Sequence, residues 1–270
     1  MKPLRLYVYR AGAIGLVVAV AACNGDSTSP DRTGSSLLDR DVAVVAADAA
    51  GEDLDLMTDP GMVSLGPSLA TAAGDFHTFG CVYNSQTQRV ECPPIELHSL
   101  TIIRSFQFRD AAGQVQQAYD VVTTASANFQ SSVEGHISWE WWSGDVKRHR
   151  DFTATGLAGN ETQRTWNGTG DGQVSHSRHS DNGETRTYDM TYDTQVQNVV
   201  VPFPRTADSW PLSGSIARDV VVKIVGGPHD GETRDRTTVV TFNGTEFVPI
   251  QVNGKTYTLD LKTRRIVHDG

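Results

Sequence analysis

The chain has little cysteine, little basic charge and only one long apolar run. Of its 270 residues three are cysteines, and 32 acidic residues outnumber 23 basic ones, for a formal net charge of −9. That balance argues against phosphate-backbone binding, hence against nucleic acid as a partner, and against polybasic attachment to anionic lipid. No Gly-x-Ser-x-Gly, His-Glu-x-x-His, phosphate loop or dinucleotide fingerprint occurs, so no cofactor and no familiar catalytic apparatus is indicated. No EF-hand loop and no shared motif at a solenoid or propeller period is present. The apolar run, Ala11 to Ala22, is about 12 residues, roughly 18 Å as a helix, and falls short of a hydrocarbon core of about 30 Å. A membrane-spanning barrel is disfavoured too, because residues 143–195 lack the outward apolar face such strands need. The chain also ends in His268-Asp269-Gly270 rather than in an aromatic residue.

What precedes and ends the apolar run gives it a meaning. Lys2, Arg5 and Arg10 lie before or at its start, and it closes in Val20-Ala21-Ala22-Cys23, the layout of a basic region, a short apolar region and a small-residue cleavage site. These residues resemble the signal peptide and lipobox of a bacterial lipoprotein precursor. The resemblance covers only this stretch. It implies cleavage after Ala22, acylation of Cys23, and tethering to a membrane of the cell envelope through the Cys23 lipid. Asn24 stands where an Asp would resemble an inner-membrane retention signal, which favours the outer membrane in a two-membrane cell. Loss of three basic residues with the signal deepens the acidic balance, so the acyl chains must do the anchoring.

In that oxidising compartment the remaining pair, Cys81 and Cys92, reads as a disulfide. A hairpin register with Cys81 opposite Cys92 also sets Tyr83 opposite Val90. A bridge over so short a loop contributes about 3 kcal/mol in the chain-entropy picture. The rival is a two-thiolate metal site with His77 and His98 nearby.

Residues 23–36 have no apolar period and read as a flexible tether. Leu38, Val42, Val45 and Ala49 then recur at spacings of four, three and four, with Asp39, Arg40, Asp41 and Asp48 between them, predicting a helix over 37–58 with one narrow apolar stripe. Ser36 and Asp39 resemble a capping pair, and Asp59-Pro60-Gly61 stops the helix. A Gly, Pro, Ser and Ala rich linker over 59–75 leads to an antiparallel β domain over 76–270. There Leu100, Ile102, Phe106 and Phe108 alternate with Thr101, Ser105, Gln107 and Arg109, with a bulge allowed at Ile103-Arg104. Turn signals recur at Asp110 to Gly113, Gly144-Asp145, Gly159-Asn160, Asn182-Gly183, Asp230-Gly231, Asn243-Gly244 and Asn253-Gly254. The prediction is a mainly β fold, an antiparallel meander of roughly ten to twelve strands forming a rolled sheet or barrel, with one N-terminal helix. The proline-punctuated segment 202–211 is the candidate subdomain boundary within one continuous sheet.

Candidate chemistry concentrates in the polar middle, 136–194. With Gly144-Asp145 as a two-residue loop, Trp141 faces Arg148, Trp139 faces Arg150 and Glu140 faces His149, a ladder of indoles and guanidiniums. Trp139, Trp141, Arg148 and Arg150 are therefore the candidate ligand-binding residues, suited to stacking on sugar rings of a glycan or envelope polymer. The competing reading has these Trp residues capping a thin core with the Arg stems laid over them. His176 and His179, three apart, point to opposite faces of a strand. With Asn182-Gly183 as the turn, they face Asp189 and Arg186 on a solvated face, which does not make a metal site. Asp171, Asp181, Glu184, Asp189 and Asp193 offer oxygen ligands without a calcium-loop pattern. The sequons at Asn160, Asn167 and Asn243 read as turn residues. The functional expectation is a non-catalytic binding or structural module, with glycan recognition as its most specific form. The alternatives are a lipocalin-like carrier of a hydrophobic ligand and, behind it, a hydrolase on an unrecognised fold.

Overall fold

The computed structural model describes residues 32–58, 80–97, 99–138, 142–159, 161–179, 185–206, 208–226 and 229–269. The lipobox, residues 24–31 of the tether and the 59–75 linker lie outside the described residues. The fold is mainly β: among the described residues one helix precedes fourteen strands in an antiparallel sheet.

Helix α1 spans Arg32–Thr58 and so begins before Ser36, whose hydroxyl accepts a hydrogen bond from Lys255 Nζ at 3.1 Å. The alanine-rich run Ala43 to Ala50 favours the helix and keeps it slender. The sheet opens with three-residue strands β1 (Val82–Asn84), β2 (Arg89–Glu91) and β3 (Ile95–Leu97). Then follow β4 (Leu100–Asp110), β5 (Val115–Gln116), β6 (Thr124–Ser138), β7 (Trp142–Thr155), β8 (Gln163–His179) and β9 (Thr185–Pro202). The C-terminal strands are β10 (Ser213–Val225), β11 (Thr233–Thr241), β12 (Phe247–Val252), β13 (Lys255–Asp260) and β14 (Arg265–Asp269). Strands pair in the order β1-β2-β4-β6-β7-β8-β9-β10-β11-β12-β13-β14, with β3 and β5 laid against β4 only. The sheet is a meander that stays open, with β1 and β14 at its ends. The count exceeds the expected ten to twelve because β1, β3 and β5 are too short to carry a periodic signal.

The Cys81–Cys92 disulfide is formed, with Tyr83 opposite Val90 as the hairpin register requires. Asn253 and Gly254, both at positive φ, make the turn between β12 and β13. The sheet continues through segment 202–211: β10 pairs with β9 from Ser213↔Val200 to Val225↔Thr187.

Three local expectations change. No bulge interrupts β4 at Ile103-Arg104. Its pairing with β6 is regular from Leu100 to Arg109, so Arg104 falls in phase with Ile102 and Phe106 and is buried while Ile103 is exposed. Gly144-Asp145 is not a turn but lies inside β7. A Cβ on Gly144 would sit 2.1 Å from the Ser175 carbonyl oxygen, so glycine there permits close strand packing rather than a bend. Asn167 stands in β8, its side-chain oxygen accepting the Asn198 amide at 2.8 Å beside a register shift.

The largest departure is α1. Its predicted stripe is buried, but so are Asp39, Asp41, Asp48, Glu52 and Asp53, with Asp41 at 0% exposure. The helix packs in one core with Phe106, Phe129, Phe152, Trp166, Ile216 and Leu259 of the sheet. A smaller cluster of Leu100, Ile102, Val133, Ile137, Val146 and Val174 meets Val44. The sheet face that carries these core residues is the one α1 packs against.

Candidate functional site

Burying five carboxylates on one helix costs several kcal/mol each unless every one meets a cation. The sheet supplies the cations from positions in phase with its core residues. On β7, Val146, Arg148, Arg150, Phe152 and Ala154 alternate inward. On β10, Arg218 sits between Ile216 and Val220, and on β11 Arg236 precedes Thr238 and Val240 on the same face.

Arg148 pairs with Glu52, and Arg150 reaches Glu52 at 3.1 Å and Asp53 at 2.6 Å. Arg218 takes the other oxygen of Asp53. Toward the N-terminal end of α1, Arg236 Nε lies 2.6 Å from Asp39, with Lys255 at 3.6 Å. Arg186 donates from Nε and Nη2 to the two oxygens of Asp41 at 2.7 and 3.1 Å, and the Tyr188 hydroxyl donates to Asp41 at 2.7 Å. Toward its C-terminal end, Arg264 pairs with Asp55 and lies 3.8 Å from Asp48.

The strand between these partners is built to make room. Across the inner face Arg150 stands opposite Gly170, then Thr194, then Arg218, and one level along Arg148 stands opposite Gly172, then Tyr192. A Cβ on Gly172 would lie 2.4 Å from the Tyr192 ring and hydroxyl, so the ring lies across this glycine.

The protonation behaviour follows from this packing. Burial pushes Glu52 up, but Arg148 and Arg150 outweigh it and hold the carboxyl below its ordinary value. Burial lowers Arg148, and Glu52 more than restores it, leaving it raised. Arg218 ends lowered: burial dominates, Asp53 and Tyr192 oppose it, and Arg150 and Arg148 add repulsion. Asp55 is pushed up to about 6 by burial that Arg264 only partly offsets. Guanidiniums keep their protons and Glu52 stays ionised near neutral pH, so the Arg148–Glu52–Arg150 group holds charge rather than moving protons.

The indole and guanidinium ladder does not form as expected. Trp139 and Trp141 lie outside the described residues. The β6–β7 register runs through Ser138↔Ser143, which places Arg148 opposite Val133, His149 opposite Ser132 and Arg150 opposite Ser131. Arg148 and Arg150 face inward and are committed to α1. The physical reason is the alternation of Val146, Phe152 and Ala154, which fixes the inner face of β7 and carries both arginines with it. Trp166, on the neighbouring β8, is fully buried between Ala154 and Val199.

His176 is opposite Tyr188 rather than Asp189 and is buried against that ring, centroids 5.4 Å apart, instead of lying on a solvated face. The His179 side chain lies outside the described residues. On the outer face Asp171, Asp193 and Asp219 stand directly opposite one another, with His149 Nδ1 3.7 Å from Asp171. Asp181 and Glu184 lie outside the described residues. Among the described residues no group of three or more His, Cys, Asp or Glu is placed to hold a metal ion, and the disulfide takes both thiols of the rival cysteine site. A shallow hollow of about 610 Å³ lies beside that disulfide, lined by Tyr83, Asn84, Gln86 and Glu91.

No protein-family model, no curated protein and no solved structure matches the chain.

Proposed function

We propose that the protein is a cell-envelope lipoprotein, anchored through acylated Cys23 in the outer membrane where two membranes exist, whose β domain is a non-catalytic binding or structural module. The observation that carries this reading is the commitment of the interior to α1. The first described segment after the lipobox is locked inside the sheet by Arg148, Arg150, Arg186, Arg218 and Arg236. A lipid on Cys23 would therefore be joined, through the residues ahead of Arg32, to a helix held in the core. With Arg148 and Arg150 engaged inside, recognition of a glycan or envelope polymer falls to Trp139 and Trp141, between the ends of β6 and β7, where indole faces suit sugar rings.

Replacing Cys23 by Ser should abolish palmitate labelling and move the protein from the membrane to the soluble fraction. Replacing Trp139 and Trp141 together by Ala should lower retention on envelope polysaccharide about tenfold, the loss of about 1.4 kcal/mol, with an unchanged melting temperature. Unchanged retention would remove the glycan version and leave the structural one.

A further inference from the structure

The group around Arg148, Arg150 and Arg218 has more donors and more positive charge than α1 can match. Three guanidiniums meet two carboxylates, Glu52 and Asp53. Widening the circle to Arg205 and Arg264 with Asp48 and Asp55 leaves five cations to four anions. Nε and Nη2 of Arg148 and Nε and Nη1 of Arg218 are buried and meet no acceptor among the described residues, and Glu52 Oε1 is likewise buried without a donor. Arg148 is 2% exposed and Arg218 3%, so bulk water cannot serve them. Each unmatched buried donor costs about 1–3 kcal/mol.

The space between them is defined. A cavity of about 10 Å³ is lined by Asp53, Arg148, Arg150, Thr194 and Arg218, and by Asp171, whose side chain is 66% exposed on the outer face. That is room for one water-sized guest and excludes sulfate, phosphate or a carboxylate ligand. A water there would accept two hydrogen bonds, bring two donors into a site already rich in donors, and leave the charge excess untouched. A halide accepts from all sides and offsets one positive charge. The lowered proton affinity of Arg218, from burial and from repulsion by Arg150 and Arg148, describes the same excess from the cation's side.

We propose that this cavity is a buried site for a monatomic anion, chloride in ordinary salt, held between Arg148 and Arg218 and sealed on one side by α1. The anion would complete the charge balance of the helix's seat, making the attachment of α1 dependent on halide.

Crystals of the intact protein grown with bromide in place of chloride test the site directly. The expected result is an anomalous bromine peak at about 3.3 Å from guanidinium nitrogens of Arg148 and Arg218. A water at that position without anomalous signal, or bromide found only on the outer surface, would overturn the proposal. In solution, exchanging gluconate for chloride at constant ionic strength should raise the melting temperature by about 3–5 °C for each tenfold rise in chloride above its dissociation constant. Indifference to the exchange would also overturn it. Arg218→Met should lose the dependence and Lys147→Ala should keep it. If Arg218→Met does not fold, the wild-type bromide and chloride measurements decide alone.

Discussion

Strand β7 puts basic residues on both faces, and the two faces teach different things about charge. On the outer side Lys147 lies 3.9 Å from Glu134, with side chains 70% and 71% exposed. On the inner side, one residue on, Arg148 and Glu52 are 1% and 8% exposed. The outer pair is screened by water and salt and contributes about 0–1 kcal/mol. The inner pair is costly to assemble and far costlier to break, because removing one partner strands the other charge away from water. Inside, charge decides where α1 sits; outside, it decorates.

The sharpest way to break that contrast is Glu52→Ala, which strands Arg148 and part of Arg150. Urea unfolding should show a loss of about 3–5 kcal/mol. The combined change Glu52→Leu with Arg148→Met should recover most of it, since it removes both charges together. A double variant as unstable as the single one would mean that the pair stabilises the fold rather than placing the helix.

Acidity gives a second, smaller test, because two carboxylates on α1 titrate in opposite senses. Glu52 is held below its ordinary value, so its contribution is present above the unfolded value near 4.5 and is lost as pH falls through the folded one. Asp55, pushed up to about 6 from 3.8, prefers its protonated form in the fold. Its contribution is present below pH 3.8 and is lost as pH rises through 6. That displacement corresponds to about 3 kcal/mol at most. Asp55→Asn should therefore flatten the stability profile between pH 4 and 6.5 while leaving the acid limb of Glu52 in place; an unchanged slope in that window would contradict the assignment. The smallest effect belongs to the outer face: Lys147→Ala should change unfolding free energy by no more than about 0.5 kcal/mol.

Much of the architecture was legible in residue order. Period-two alternation in β4, the Asn253-Gly254 turn and the Cys81 and Cys92 spacing follow from local rules, and the structure carries each of them. The seat of α1 was legible in part. Arg148 and Arg150 share the phase of Val146, Phe152 and Ala154, Arg104 that of Ile102 and Phe106, and Arg218 that of Ile216 and Val220. A charged residue in phase with a buried face is the signal that it is buried, and an alanine-rich helix studded with Asp and Glu is the complementary half. What local rules cannot supply is the pairing between the two, because Arg236 and Asp39 stand 197 residues apart. The Gly144-Asp145 reading failed for a related reason: glycine marks close backbone approach as readily as a bend, and only the neighbouring strand distinguishes them.

The seat of α1 also sets an order of events during biogenesis. Its partners Arg236, Lys255 and Arg264 lie about 200 residues further along the chain, so a helix that leaves the ribosome ahead of them waits for its final neighbours until those strands are made. Contacts so distant in sequence are slow to close. An acidic, alanine-rich segment is well made for that interval, since it stays soluble and has little to offer a lipid surface while it waits. A greasier helix would pack the finished core at least as well and would spend the wait stuck to the wrong surface.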